Sequence, residues 1–309
     1  MRDRRARLLV FVLAFALYAS TLYGGVGGRF NSGDAAKWQY IGSILGVPHP
    51  PGSPLYILVS HVWGLLPFPF VSSSEPASLA IRINLLSSLF GALAATCVYG
   101  IARRVGLRPM VAALAVLFFA LSEAMWTFST EAEVYAPLAF SCAFVLERAL
   151  AWEATRKDLD LWLLFLAYAT GFGFHYMMIT LLPALVVFLL RTDPWGVTRP
   201  RHILVALACI AVGVLPIVFL WYRLPNAPYS ELVGTRGPGM FRRYLLARQY
   251  QHGMFHDSLR TLWFERLGWA LSILGRQGGI LVMALAPIGA LALRTRGNAT
   301  LLLGLATLG

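Results

Sequence analysis

Long apolar stretches separated by short polar turns dominate this chain. About twenty consecutive apolar residues form a helix that crosses a bilayer, and eight stretches approach that length. They are residues 8–25, 83–102, 110–128, 134–152, 161–174, 177–190, 203–221 and 269–293. A further apolar run from about Ala299 is shorter than a span, which indicates a truncated chain or a partial final helix. The pattern predicts an all-α polytopic membrane protein with about eight or nine transmembrane helices and helical loops at its outer face.

The segment "PLYILVSHVWGLLPFPF" differs from these spans because it is short and bounded by prolines. Such a segment is typical of an interfacial or re-entrant helix. We expect a single transmembrane domain over residues 1–309. Its predicted parts are a first span (1–25), a first outer loop (26–82), a helical bundle (83–222), a basic outer loop (223–266) and the last spans (267–309).

Composition supports a membrane location. Hydrophobic residues make up 58% of the chain and charged residues 13%, whereas soluble domains carry about 25% charged residues. The net charge of +12 would suggest nucleic acid in a soluble protein, but Lys and Arg concentrate in the cytoplasmic loops of membrane proteins. We therefore expect no nucleic-acid partner. The three cysteines lie singly in apolar runs, a pattern that predicts neither disulfides nor a metal site.

The basic residues also predict an orientation. The N-terminus begins "MRDRRAR", which favours a cytoplasmic start. Alternation of the spans then brings every short basic loop to the same side. The opening loop, the turn at 129–133 and the segment 223–266 fall on the outer face.

The outer segment 223–266 is an exception to that charge rule, since it contains Arg242, Arg243 and Arg248. Long loops cross membranes regardless of charge, and a basic helix can also rest on anionic lipid. The functional interpretation is an anion site, because guanidinium groups pair well with phosphate oxygens. A lipid phosphate or pyrophosphate is the natural anion at a membrane surface.

The first outer loop contains the strongest candidates for chemistry. Asp34 is one of few acids on the predicted outer face, in a neighbourhood rich in aromatic residues and glycine, where partial burial favours a general base. The stretch "PHPPGSPLY" cannot form a regular helix, since its prolines remove backbone donors. It holds His49 on a rigid turn, either as a substrate ligand or as a structural residue.

Two further positions approach the same face. The motif "WTFSTEAEVY" places Glu131, Glu133 and Tyr135 at the outer interface. Paired acids bind a metal, share a proton or cap a helix N-terminus. We interpret Glu131 as a cap and Glu133 as functional. His175, in "GFGFHYMM", is a structural residue or a member of the same cavity. A divalent metal is conceivable there, but no spacing motif supports one.

Together these motifs resemble the family that contains the transmembrane O-mannosyltransferases of plexin-type receptor domains and many bacterial relatives. "DAAKWQYIGSILGVPHPPGSPLY" is similar to a family pattern D-S-G-E-x7-L-G-x-x-H-P-P-G-Y-P-L-Y, with the same spacing from Asp34 to His49. "RINLLSSLFGALAATCVYGIARR" and "WTFSTEAEVYAPL" continue the resemblance, which covers most of residues 29–183.

The chain departs from the pattern at two positions. Lys37 stands where the family has Glu, and Ser53 stands where it has Tyr. A competing register aligns "NSGD" with "DSGE" and places Asn31 at the key position, but the spacing to His49 favours Asp34. A lysine at position 37 either changes the donor or acceptor or marks an inactive member.

The resemblance implies a C-type glycosyltransferase with catalysis at the outer face. Its expected reaction is an inverting transfer of a mannose-like sugar from a polyprenyl phosphate to a hydroxyl of a protein or envelope glycan. Asp34 is then the catalytic base, and Arg242, Arg243, Arg248 and Lys37 are candidates for the donor phosphate. His49, Glu133, Tyr135 and His175 are candidates for the sugar or acceptor pocket. The alternative is a polyprenyl-phosphate or lipid translocase, or a non-catalytic membrane partner.

Overall fold

The computed structural model describes residues 2–29, 32–68, 76–231, 239–251, 258–293 and 297–306. Twelve helices up to residue 245 are α1 (Arg2–Ser20), α2 (Ser32–Ile41), α3 (Pro54–Leu65), α4 (Pro76–Arg104), α5 (Pro109–Ala120), α6 (Glu123–Thr130), α7 (Tyr135–Thr155), α8 (Asp158–Gly171), α9 (Leu182–Thr192), α10 (Pro194–Val197), α11 (Pro200–Arg223) and α12 (Met240–Leu245). Helices follow at Leu259–Thr261, Leu267–Leu293 and Asn298–Ala306. Asn31, of the competing register, lies outside the described residues, as do parts of the basic outer segment.

Short 3-10 helices interrupt this series at Tyr176–Leu181, Leu224–Asn226 and Arg248–Tyr250, and a π-helical turn spans Leu262–Arg266. The described residues contain no β-strand. They contain one isolated parallel bridge, between Val47 and Ser230. The predicted all-α class is therefore confirmed.

Helix α4 is the centre of the N-terminal half and packs against α1, α5, α6 and α7. Its sequence makes this possible because small buried residues such as Gly91, Ala92 and Ala95 line its faces. A side chain at Gly91 would collide with Ser129 of α6. Small residues allow helix backbones to approach closely in a membrane protein.

The second half of the bundle is built on α7 and α8. Leu150, Leu161 and Phe188 belong to one apolar cluster that joins α7, α8 and α9. Helix α11 packs against α8, where Gly213 faces the backbone of Ala169 with no room for a side chain. This contact keeps the C-terminal end of α11 beside the loops that follow α2.

Two helices are long and apolar enough to cross a membrane, Pro76–Arg104 and Pro200–Asn226, among the residues the structure describes. The bent pair α5 and α6 would add a third if it forms one span. The count of eight or nine spans therefore stays a prediction.

The pair α5 and α6 differs from the single helix that we predicted over 110–128. The two helices meet at an angle of 66°. The Ser122 hydroxyl accepts a hydrogen bond from the Met125 amide, and Glu123 occupies the first turn of α6. Ser followed by an acid is a helix start signal, and it accounts for the break. Glu123, which lies within the predicted span 110–128, is an exposed first-turn acid of α6.

A buried carboxylate closes the end of the bundle that carries the N-terminus. Glu147 is 2% exposed. Its Oε1 lies 2.5 Å from Arg7 of α1, 3.0 Å from its neighbour Arg148 and 3.5 Å from Arg104 of α4. Arg148 also contacts Asp160 of α8 at 2.7 Å. The ion pairs around Glu147 and Arg148 thus join four helices.

We predict that Glu147→Gln destabilises the bundle by about 3–5 kcal/mol, because removing one partner leaves buried charges uncompensated. Thermal unfolding in detergent would show a clearly lower Tm. Glu153→Gln on the same helix is the matched control, since Glu153 has no ion pair in the described part of the chain. Equal Tm values for the two variants would contradict the prediction.

Candidate active site

The candidate site lies at the other end of the bundle and begins with α2. Asp34 is in the first turn of this helix, and Lys37 follows one turn later on the same face. The Lys37 ammonium lies 2.6 Å from Oδ1 of Asp34. A carboxylate in the first turn also benefits from the helix dipole. Asp34 keeps 43% of its side chain exposed, whereas Lys37 keeps 10%.

Lys37 connects α2 to two other parts of the chain. Its Nζ lies 2.7 Å from Nδ1 of His49 and 3.1 Å from Oε1 of Glu231. Glu231 follows α11 and comes from a distant part of the sequence. Glu231 was not among the residues predicted for the site. The available signal was that it is one of few acids among the arginines of the outer segment.

The loop that carries His49 is fastened on several sides. The Val47 amide donates to the Tyr229 carbonyl at 2.9 Å, and the Glu231 amide donates to the Val47 carbonyl at 3.2 Å. The Tyr244 hydroxyl donates to the Pro48 carbonyl at 2.6 Å. The His49 ring meets Trp38 of α2 edge-on at 5.8 Å. The proline-rich loop is therefore held rigidly, as its sequence predicted.

Arg223 adds to this fastening. Its guanidinium donates to the carbonyls of Leu45 and Ile44 at 2.7 and 3.0 Å. Arg223 is one of the basic residues of the predicted outer segment. Its hydrogen bonds join the end of α11 to the first outer loop.

The charges of this group determine its protonation. Burial alone would lower the pKa of Lys37, but hydrogen bonds to Asp34 and Glu231 outweigh it and raise that pKa. Burial, followed by the charge of Lys37, lowers the pKa of His49 against the opposing effect of Asp34 and Glu231. At neutral pH the group therefore contains a charged lysine and a neutral histidine.

A second group of candidates adjoins the first. Glu133 is 2% exposed, and its amide donates to the Ser87 hydroxyl at 3.4 Å. The ring of Tyr135 lies 5.4 Å from that of His175 and 4.7 Å from that of Phe128. The charges of Glu133 and Asp34 both act on the Tyr135 hydroxyl. The structure thus brings Glu133, Tyr135 and His175 into the neighbourhood of Asp34.

His175 closes the link between the two groups. Burial, and then the nearby His49, lower its pKa. Its Nδ1 accepts a hydrogen bond from the Met177 amide at 3.1 Å, which caps the following 3-10 helix. His175 therefore combines a structural contact with a position at the edge of the site.

The sequence was compared with known proteins. A family model described as the protein O-mannosyl-transferase TMEM260 N-terminal domain matches residues 34–198. The chain belongs to this family. No solved structure matches it.

Two curated relatives of the TMEM260 family align with part of the chain. The mouse protein O-mannosyl-transferase TMEM260 is 34% identical over 131 residues, which are 42% of this chain and 17% of the relative. The Dictyostelium discoideum protein O-mannosyl-transferase tmem260 is 27% identical over 128 residues, 41% of this chain and 14% of the relative. The aligned part of the chain thus spans less than a fifth of either relative.

The arginines predicted for a phosphate lie apart from this cluster. Arg242 and Arg243 are exposed on α12, and Arg248 is exposed in the next 3-10 turn. Within the described ranges, these three side chains form no hydrogen bond or ion pair. Tyr244, on the same short helix, anchors α12 to the His49 loop. The arginines are therefore attached to the site through Tyr244.

The pair Glu131 and Glu133 shows no arrangement suited to a metal. Glu131 is fully buried and accepts a hydrogen bond from the Arg29 amide at 2.6 Å. Its interpretation as a helix N-cap is wrong, because α6 continues to Thr130 and Val134 is the N-cap of α7. No cluster of three or more metal-binding side chains was found among the described residues.

We predict that Gly52→Ala loosens the His49 loop. Gly52 has φ +92°, and a Cβ there would lie 2.5 Å from the Tyr244 hydroxyl. A left-handed conformation costs an alanine about 1–2 kcal/mol, and the collision adds to it. Limited proteolysis should cut the variant faster near this loop. Gly33→Ala has open space around it and should behave as wild type; equal cleavage of both variants would refute the prediction.

Proposed function

We propose that this chain is an inverting membrane glycosyltransferase that moves a mannose-like sugar from a polyprenyl phosphate to an acceptor hydroxyl. The acceptor is a protein Ser or Thr or an envelope glycan. The observation that carries the proposal is Asp34, an accessible carboxylate held by a buried ammonium at the position that matches the family motif. The names of the TMEM260 relatives support the transferase class.

The proposed reaction requires one base and positive charge near the leaving group. Asp34 takes the proton from the acceptor hydroxyl as that oxygen attacks the anomeric carbon. The bond from this carbon to the phosphate oxygen breaks, and the polyprenyl phosphate leaves as an anion. Attack opposite the leaving group inverts the anomeric centre. Glu133, Tyr135, His49 and His175 would line the pocket for the sugar or acceptor.

An apolar cavity supports the lipid part of the proposed donor. It has a volume of about 530 Å³ and lies between α8 and α11. Phe172, Tyr176 and Ile217 are among its lining residues. One of these lining residues, Tyr176, directly follows the site candidate His175 in the sequence. An isoprenoid chain fits such walls, because it has no polar groups to satisfy.

Exposed guanidinium groups support the phosphate part. Arg242, Arg243 and Arg248 are not engaged by other residues in the described part of the chain, and Arg forks suit phosphate oxygens. Lys37 was a further candidate for this role. Since its ammonium already contacts Asp34, His49 and Glu231, we propose an indirect role for it.

The proposed location is the outer side of a multi-pass membrane protein. The candidate site lies at the end of the bundle opposite the arginine-rich N-terminus. Basic termini stay in the cytoplasm, so the site would face the periplasm or a lumen. Eight or nine spans remain part of this proposal.

We predict that Asp34→Asn abolishes sugar transfer, because an amide accepts no proton from the attacking hydroxyl. Purified protein in lipid would be assayed with a panel of polyprenyl-phosphate sugars, with and without a chelator. Asp3→Asn, an exposed acid at the other end of the bundle, should keep full activity. Normal turnover by Asp34→Asn would contradict the proposed mechanism. The absence of transfer by the wild-type protein would favour the alternative of a lipid-phosphate translocase.

We also expect the double variant Arg242→Gln/Arg243→Gln to raise the donor KM about tenfold or more, since hydrogen bonds between charged groups contribute about 1.5–3 kcal/mol. Arg260→Gln is the control, because Arg260 is likewise exposed in the outer segment. Initial rates at varied donor concentration distinguish the variants. An unchanged KM in the double variant would exclude these arginines from donor binding.

A further inference from the structure

The ammonium of Lys37 lies close to three protein acceptors. A lysine carries three N–H groups and no acceptor. The three acceptors around Nζ are Asp34 Oδ1 at 2.6 Å, His49 Nδ1 at 2.7 Å and Glu231 Oε1 at 3.1 Å. The contacts with Asp34 and His49 are hydrogen bonds and the contact with Glu231 is an ion pair, so the ammonium is held on three sides by the protein.

This geometry determines which nitrogen of His49 carries the proton. A charged lysine can only donate, so Nδ1 of His49 must offer its lone pair. Nδ1 also lies 3.4 Å from Oε2 of Glu231, but one ring nitrogen cannot accept from lysine and donate to glutamate at once. The shorter contact decides, and the proton of the neutral ring is on Nε2.

We propose that Lys37 and Glu231 are positioning residues that lock His49 as the neutral Nε2–H tautomer, so that His49 donates a hydrogen bond to a substrate oxygen beside Asp34. The inference rests on the proposed function for the identity of that oxygen, which belongs to the sugar or the phosphate. Nε2 has no hydrogen-bond partner within the described ranges, and the His49 side chain is 31% exposed. Its N–H is therefore available to a ligand.

Glu231 is the part of this arrangement that holds the lysine in place. Its Oε1 also accepts from the Tyr229 hydroxyl at 3.1 Å, and its amide is bonded to the carbonyl of Val47, two residues before His49. The backbone segments that carry the carboxylate and the histidine are therefore hydrogen-bonded to each other. Burial of the ammonium lowers the pKa of Lys37, and the Glu231 carboxylate raises it. Glu231 therefore helps to keep the buried lysine charged.

The charged and titratable groups that act on His49 are Lys37 and Asp34 on α2, Glu231 after α11, and His175 before the 3-10 helix. The ammonium opposes protonation of His49, whereas both carboxylates favour it. A glutamate at position 37, as in the family pattern, would instead accept a hydrogen bond from Nδ1–H. The outward nitrogen would then become an acceptor. The residue at position 37 thus decides whether Nε2 of His49 is a hydrogen-bond donor or an acceptor towards the substrate.

The test is NMR of ¹⁵N-histidine-labelled protein in lipid nanodiscs, where ¹⁵N shifts distinguish the two neutral tautomers. The signal of His49 among the six histidines is the one lost in His49→Gln. We expect wild-type His49 to be the Nε2–H form at neutral pH and to protonate below the ordinary value of about 6.5. An Nδ1–H form, or a charged ring at neutral pH, would overturn the proposal.

Variants separate the two positioning residues. Lys37→Met should raise the midpoint of His49 protonation by about one pH unit or more, because both carboxylates remain. Lys37→Glu should shift the proton to Nδ1, and Glu231→Gln should loosen the tautomer preference. Glu265→Gln, on the outer segment away from this cluster, should change nothing. An unchanged His49 titration in Lys37→Met would refute the assignment.

These readouts need no enzymatic activity, so they stand apart from the proposed function. Under that function, Lys37→Glu should also lower kcat/KM at least about tenfold, while Glu265→Gln should not. If the tautomer behaves as expected but no variant changes transfer, His49 does not contact the substrate and this inference fails. If no sugar is transferred by wild type at all, the proposed function fails and the tautomer result remains.

Discussion

The buried ammonium of Lys37 is the constraint on which the candidate site depends. A charge withdrawn from water must be compensated by nearby opposite charge and by hydrogen bonds. Here the compensation comes from α2, from the loop of His49 and from the segment after α11. The isolated bridge between Val47 and Ser230 and the contacts of Arg223 hold those parts at the right distance. The packing of α11 on α8 therefore helps to position residues of the candidate site near the N-terminus.

The bundle thus has a charge cluster at each end, and the central charge of one cluster is opposite in sign to that of the other. At the N-terminal end a carboxylate, Glu147, is surrounded by guanidinium groups. At the other end an ammonium, Lys37, is surrounded by carboxylates and a histidine. The first cluster joins helices, and its carboxylate is 2% exposed. The second leaves Asp34 partly exposed beside a ring nitrogen with a free proton. This difference separates a structural cluster from a candidate site.

Much of the fold could be predicted from the sequence, because apolar periodicity is local. Every predicted span overlaps a helix of the structure, and the predicted interfacial segment contains the short α3. The motif spacing also placed Asp34 and His49 in one neighbourhood, since the helix and the proline-rich loop are adjacent in the chain. Ser122 and Glu123 signal a helix start, but we predicted no break between α5 and α6. The reason is that the residues on both sides are apolar and resemble one continuous span. Glu231 could not be assigned, since its contact with Lys37 depends on a pairing across most of the chain.

The Glu231 contact has a consequence for biosynthesis. Ribosomes deliver the chain from its N-terminus, so α2 and the His49 loop emerge long before the residues after α11. Until that segment arrives, Lys37 lacks one of its carboxylates and the loop lacks its bridge to Ser230. A chain interrupted within α11 would hold Asp34 but not the group that orients its surroundings. The three contacts of Lys37 are therefore complete only after Glu231 has been synthesised.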